Sequence, residues 1–123
     1  MDERIKILAH NLVNYSMNVK KGDKVYIHYI GESATELAGE IINEVYLAGG
    51  LPFPHYTDQT ILRKVLLNCT KEQISLMAEV DAKEMAQMDC YVGIRGTSNA
   101  SELADVPADK MELYEKYYTT PVH

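Results

Sequence analysis

The groups able to do chemistry in this chain are its histidines, two cysteines, and the hydroxyl and carboxylate residues that follow short apolar runs. A metal centre needs His, Cys or carboxylate side chains converging at recognisable spacing. His10, His28, His55 and His123 form neither an H-x-x-x-H nor an H-E-x-x-H pattern. His28 and His55 fall in segments expected to be neighbouring strands, so they could approach one another; two histidines hydrogen-bonded singly is the simpler expectation. His10 lies off the apolar stripe of its helix and is expected in solvent. Cys69 and Cys90 make no metal-type pair and no disulfide framework, which leaves them as buried reduced thiols. Ser98 and Ser101 follow an apolar run, but G-T-S-N-A is not the G-x-S-x-G nucleophile elbow. Asn99 and Glu102 read as helix-start residues that satisfy backbone N–H groups. Asp81 shares a helix face with Ile74, Met77, Ala78 and Met85. A helix end tilting toward solvent explains it more simply than a buried functional acid does.

These groups must be positioned by regular elements, and periodicity supplies them. Ile5, Leu8, Ala9, Leu12 and Val13 form a helical stripe that stops before the turn Lys21-Gly22-Asp23. Lys24 to Ile30, rich in β-branched and aromatic residues, reads as a strand. Ser33 and Glu36 have capping-box spacing and open a helix buried through Leu37, Ala38, Ile41, Ile42, Val45 and Ala48. Glu36, Glu40 and Glu44 mark its wet face, and Gly49-Gly50 closes it. A second strand runs from about Leu51 to Thr57, where Pro52 and Pro54 predict a sheet edge. A short helix carries Ile61, Leu62, Val65 and Leu66, and Thr70 with Gln73 opens another. Cys90 to Ile94 is the third strand, and Pro107 starts a last helix with Met111, Tyr114 and Tyr118.

Strands separated by helices imply right-handed crossovers and a parallel sheet. The expected fold is three-layer α/β, one domain over residues 1–123, with a parallel sheet of at least three strands in the flavodoxin-like order 2-1-3. In that order the third strand leaves an open edge, to be paired with another copy or covered by the Tyr-rich last helix. Ligands of such sheets sit beyond the carboxyl ends of the strands. Those ends carry Gly31-Glu32-Ser33, Thr57-Asp58 and Arg95-Gly96-Thr97-Ser98-Asn99. Asp58 lies where a ribose-binding acid would, but one glycine and Glu32 make a poor phosphate cradle.

Composition bounds the function. The chain has 123 residues, 46% hydrophobic and 24% charged, with net charge -6, enough for one proper core. That charge leaves no basic footprint for nucleic acid or an acidic membrane. The one basic cluster, Lys20, Lys21 and Lys24, is broken by Gly22 and Asp23. No apolar run reaches the ~20 residues of a membrane helix, and Met1-Asp2-Glu3-Arg4 does not begin like a signal peptide. A cytoplasmic location is expected. Nine tyrosines without a tryptophan give no base-stacking pattern.

Three ordered segments resemble the aminopeptidase T, or thermophilic metallopeptidase, family. Leu8-Ala-His-Asn-Leu-Val-Asn-Tyr-Ser16 running into Val19-Lys-Lys-Gly-Asp-Lys-Val25 is similar to the family's helix and turn into strand one. Glu44-Val-Tyr-Leu-Ala-Gly-Gly-Leu-Pro52 is similar to its link into strand two. Ile94-Arg-Gly-Thr-Ser-Asn-Ala-Ser-Glu-Leu103 with Asp105-Val-Pro107 is similar to the stretch after strand three. The resemblance implies an exopeptidase that removes amino-terminal residues from peptides with two divalent metals of the zinc, cobalt or magnesium class. It implies a homodimer, and a carboxy-terminal catalytic domain that supplies every ligand. No catalytic, cofactor or metal residue carries over to this chain, which is expected to be a truncated, inactive amino-terminal domain. Arg95, Thr97 and Asn99 are the residues expected to line the active-site chamber. The other readings are a stand-alone α/β module for a nucleotide-like small molecule and a purely structural domain.

Overall fold

The computed structural model describes residues 2–96 and 103–122. Asp2 caps the first helix, α1 (Glu3–Asn11), by accepting from the Arg4 backbone N–H at 2.9 Å. The helix continues as a wider π turn over Leu12–Ser16. Asn18 ends it in the left-handed region (φ 51), and the Val19 N–H returns to the Val13 carbonyl at 3.0 Å. Asparagine is one of the few non-glycine residues that tolerate that backbone. Asp23 closes the next turn by accepting from the Lys20 N–H at 2.8 Å. Strand β1 (Lys24–Ile30) follows, then α2 (Thr35–Leu47) and β2 (Leu51–Thr57). Two helices, α3 (Gln59–Leu66) and α4 (Lys71–Met85), precede β3 (Cys90–Arg95). The chain finishes with α5 (Ala108–Tyr114), a π turn (Glu115–Thr119) and the single turn α6 (Thr120–Val122).

All pairings are parallel and the strand order is β2-β1-β3, the expected α/β sheet. Pro52 and Pro54 lie on an edge strand, where a missing N–H costs no ladder bond. β1, flanked on both sides, buries Val25, Tyr26 and Ile27.

The residues group into two compact units. In the first, α1 and α2 cover one face of the sheet. Ala9 from α1 and Val13 from the π turn that follows it meet Ala38, Ile41 and Val45 from α2 over Val25 and Ile27. A fully buried Ile or Val of this kind contributes about 1.5–3 kcal/mol relative to exposure. The second unit gathers α3 to α6 around Leu66, Cys69, Ile74 and Val106, with Met77, Met111, Tyr114 and Tyr118 packed against them. There the Arg63 guanidinium clamps the Asp105 carboxylate with two bonds, one of them Nε to Oδ1 at 2.8 Å. The Lys110 ammonium reaches the Cys69 carbonyl at 2.7 Å.

Two local expectations fail for identifiable reasons. Ser33 does not cap α2: Gly31 turns left-handed (φ 87), a 3-10 turn over Glu32–Ala34 intervenes, and no side chain caps the helix that starts at Thr35. Glu44 is not on the wet face. Its side chain is 16% exposed because it accepts from His10 of α1, Nδ1 to Oε1 at 2.7 Å. His10 is half-exposed, as expected, but it bridges two helices rather than standing in water.

Candidate functional site

The strand ends are tied to one another through backbone. The Gly31 N–H donates to the Thr57 carbonyl at 3.1 Å, joining β1 to the end of β2. The Gly96 N–H donates to the Ile30 carbonyl at 2.8 Å, joining β3 to β1. Gly96 approaches so closely that a Cβ there would lie 2.3 Å from Ser33 Oγ and 3.0 Å from Ala34 N. A rim built this way is fixed by main chain, which is what a wall or a positioning surface needs.

Arg95 ends β3 opposite Ile30, with its side chain exposed. Thr97 and Asn99, expected beside it as chamber-lining residues, lie outside the described residues, as do Ser98, Ser101, Glu102 and His123. Asp58, considered for a ribose, caps α3 and accepts from the Ile61 N–H at 3.1 Å. Its oxygen is engaged in ordinary helix capping.

The face of the sheet that carries Tyr26 and His28 holds an aromatic row. Tyr26 stacks between His55, 4.6 Å away at 14°, and Tyr91, 5.6 Å away at 12°. His28 and His55 are cross-strand partners, as the strand order predicts. His28 Nε2 lies 2.8 Å from Thr57 Oγ1, while His55 lies flat on Tyr26. Among the described residues no three His, Cys, Asp or Glu side chains come together to hold a metal ion. The donor set among the described residues therefore does not fit a two-metal centre.

The remaining candidates are structural. Asp81 accepts from the Tyr118 hydroxyl at 2.5 Å and is half-buried. Cys69 is buried and Cys90 half-buried, both as free thiols. Burial, with the charges of Asp23 and Asp89, pushes the Cys90 thiol up, away from the reactive thiolate. The aromatic row escaped sequence reasoning. Its signal was the parallel register, which aligns Tyr26 with Phe53 and Tyr91 and puts His55 one step further along the same face.

The family model for the thermophilic metalloproteases (M29) matches residues 1–121. The chain belongs to the thermophilic metalloprotease (M29) family. Within this M29 chain, two of the segments that resemble the family flank β1 and β2: Val19 to Val25 forms the turn into β1, and Ala48 to Pro52 the link from α2 into β2. Among solved structures, wild-type AmpT from Thermus thermophilus is similar in fold, with a TM-score of 0.73 at 20% identity. The match covers 96% of this chain and 30% of that one. No curated protein matches this M29 chain. No described helix is long and apolar enough to cross a membrane.

Proposed function

We propose that this chain is a non-catalytic, amino-terminal domain of a metal-dependent aminopeptidase, an enzyme that removes amino-terminal residues from peptides. The family match over residues 1–121 carries the reading. The similar AmpT chain is longer, since the match spans 30% of it, which leaves ample chain for a separate metal-binding domain. Two divalent ions, of the zinc, cobalt or magnesium class, would belong to that other domain. The role of this one is mechanical. Its strand ends, cross-tied at Gly31 and Gly96, would wall one side of the chamber that admits peptide, with Arg95, Thr97 and Asn99 as the proposed lining residues. A cytoplasmic homodimer completes the reading.

Hydrolysis of leucyl-p-nitroanilide with added cobalt or zinc tests it. The chain alone is expected to show no turnover, and the same chain joined to a metal-binding M29 domain is expected to be active. Metal-dependent turnover by the chain alone would remove the non-catalytic assignment. Inactivity of a folded, metal-loaded fusion on every aminoacyl-nitroanilide would remove the aminopeptidase assignment.

A further inference from the structure

Of the three arginines, two are clamped by carboxylates of their own chain: Arg4 by Asp2, at 3.2 Å, and Arg63 by Asp105. Arg95 is exposed and meets no carboxylate among the described residues. It takes the last position of β3, directly across from Ile30, on the face of the sheet that carries Tyr26 and His28. Gly93 and Tyr91 precede it on that face, and both are exposed, Tyr91 to 45%. The three residues lie on the face of the sheet, so what they offer does not depend on what borders β3.

A guanidinium is a rigid fork of N–H donors that matches a carboxylate and binds it through two parallel hydrogen bonds. The position before it on the face leaves room for one. Gly93 carries no side chain, so an extended segment can approach the strand closely there. A Cβ on Gly93 would lie 3.2 Å from the Tyr91 hydroxyl, so that ring bounds the gap on the side away from Arg95. On the inner flank His28, the cross-strand partner of Gly93, turns its Nε2 to Thr57 on β2. Successive residues on one face of a strand lie about 6.6 Å apart. The floor from Gly93 to Arg95 therefore takes a carboxylate and the residue that bears it. Glu32, exposed on the turn that follows β1, adds a negative charge to the rim. That charge weighs more against a doubly charged phosphate than against a single carboxylate.

We propose that Arg95, with Gly93 and Tyr91 beside it, binds the carboxy-terminal carboxylate of a short peptide. The choice of ligand rests on the aminopeptidase reading, in which the strand ends wall the peptide chamber. The test needs no turnover, so it can fail while that reading stands. N-acetyl-leucyl-alanine, titrated into the chain, should move the Gly93 and Arg95 amide signals to saturation in NMR spectra. Its carboxamide should not. Arg95→Gln, at an exposed position, should leave the rest of the spectrum in place and weaken binding roughly tenfold. Inorganic phosphate at the same concentration should compete poorly. Absence of a saturating shift overturns the proposal. So does a carboxamide that binds as well as the acid, an Arg95→Gln variant that binds as tightly, or phosphate that displaces the peptide at equal concentration. If nitroanilide hydrolysis fails in the fusion while the acetylated peptide still binds, the aminopeptidase reading falls and the carboxylate site stands.

Discussion

A methyl group added at Gly96 would meet Ser33 Oγ at 2.3 Å, Ala34 N at 3.0 Å and the Ile30 carbonyl oxygen at 3.1 Å. Two of these atoms are backbone and cannot swing aside. Gly96→Ala is therefore expected to destabilise the fold by about 1–3 kcal/mol, the usual penalty of overpacking. A lower urea midpoint at constant slope would show it; an unchanged midpoint would mean that the rim is looser than these contacts require. Tyr114 offers a test by titration. Burial first, then the charges of Asp81 and Glu115, push its phenol up to about 12. The unfolded chain releases this proton near the ordinary tyrosine value of about 10, before the folded chain does. The associated stability is thus complete below about pH 10 and is lost as pH rises toward about 12. Tyr114→Phe should flatten that alkaline limb in unfolding measurements. A limb of unchanged steepness would assign the loss to other groups.

Elements were legible where a single local cause decides them. Thr70 caps α4 by accepting from the Gln73 N–H at 3.2 Å, as the Thr-x-x-Gln spacing implies. Thr70→Ala should cost about 1 kcal/mol, measurable in thermal unfolding, and Thr70→Ser should recover most of it. Equal stability of the alanine and serine variants would show that the cap contributes nothing. The edge position of β2 was likewise legible, because proline lacks a donor wherever it stands. Ser33 had the same spacing as Thr70 and still misled. The left-handed Gly31 and the 3-10 turn after it start the helical path before a capping side chain is needed. Glu44 misled for a longer-range reason: the histidine it binds lies 34 residues away on α1, and no period within α2 contains that information. The candidate site divides the same way. Its location at the strand ends follows from sheet topology, whereas the Gly96–Ser33 contact and the His55–Tyr26–Tyr91 row exist only once the register is set.

At the scale of the molecule, the question is how a chain of a metalloprotease family can lack a cluster of metal donors among its described residues. The two histidines that the sheet places opposite one another supply the physical answer for this chain. One has its Nε2 against Thr57 Oγ1 and the other lies with its ring on Tyr26, and among the described residues no three donors gather around either of them. If metal chemistry belongs to another domain, divalent ions should not stabilise this one. A ligand that binds the folded state at 100 times its Kd adds about 2.7 kcal/mol. For a chain of this size that raises the melting temperature by roughly 10 °C, far above the scatter of a melting curve. Zinc, cobalt and manganese, each added in excess, are therefore expected to leave the transition where it is. An upward shift that His55→Ala or His28→Ala abolishes would locate a metal site on the sheet itself. It would also convert this domain from a wall of the chamber into part of its chemistry.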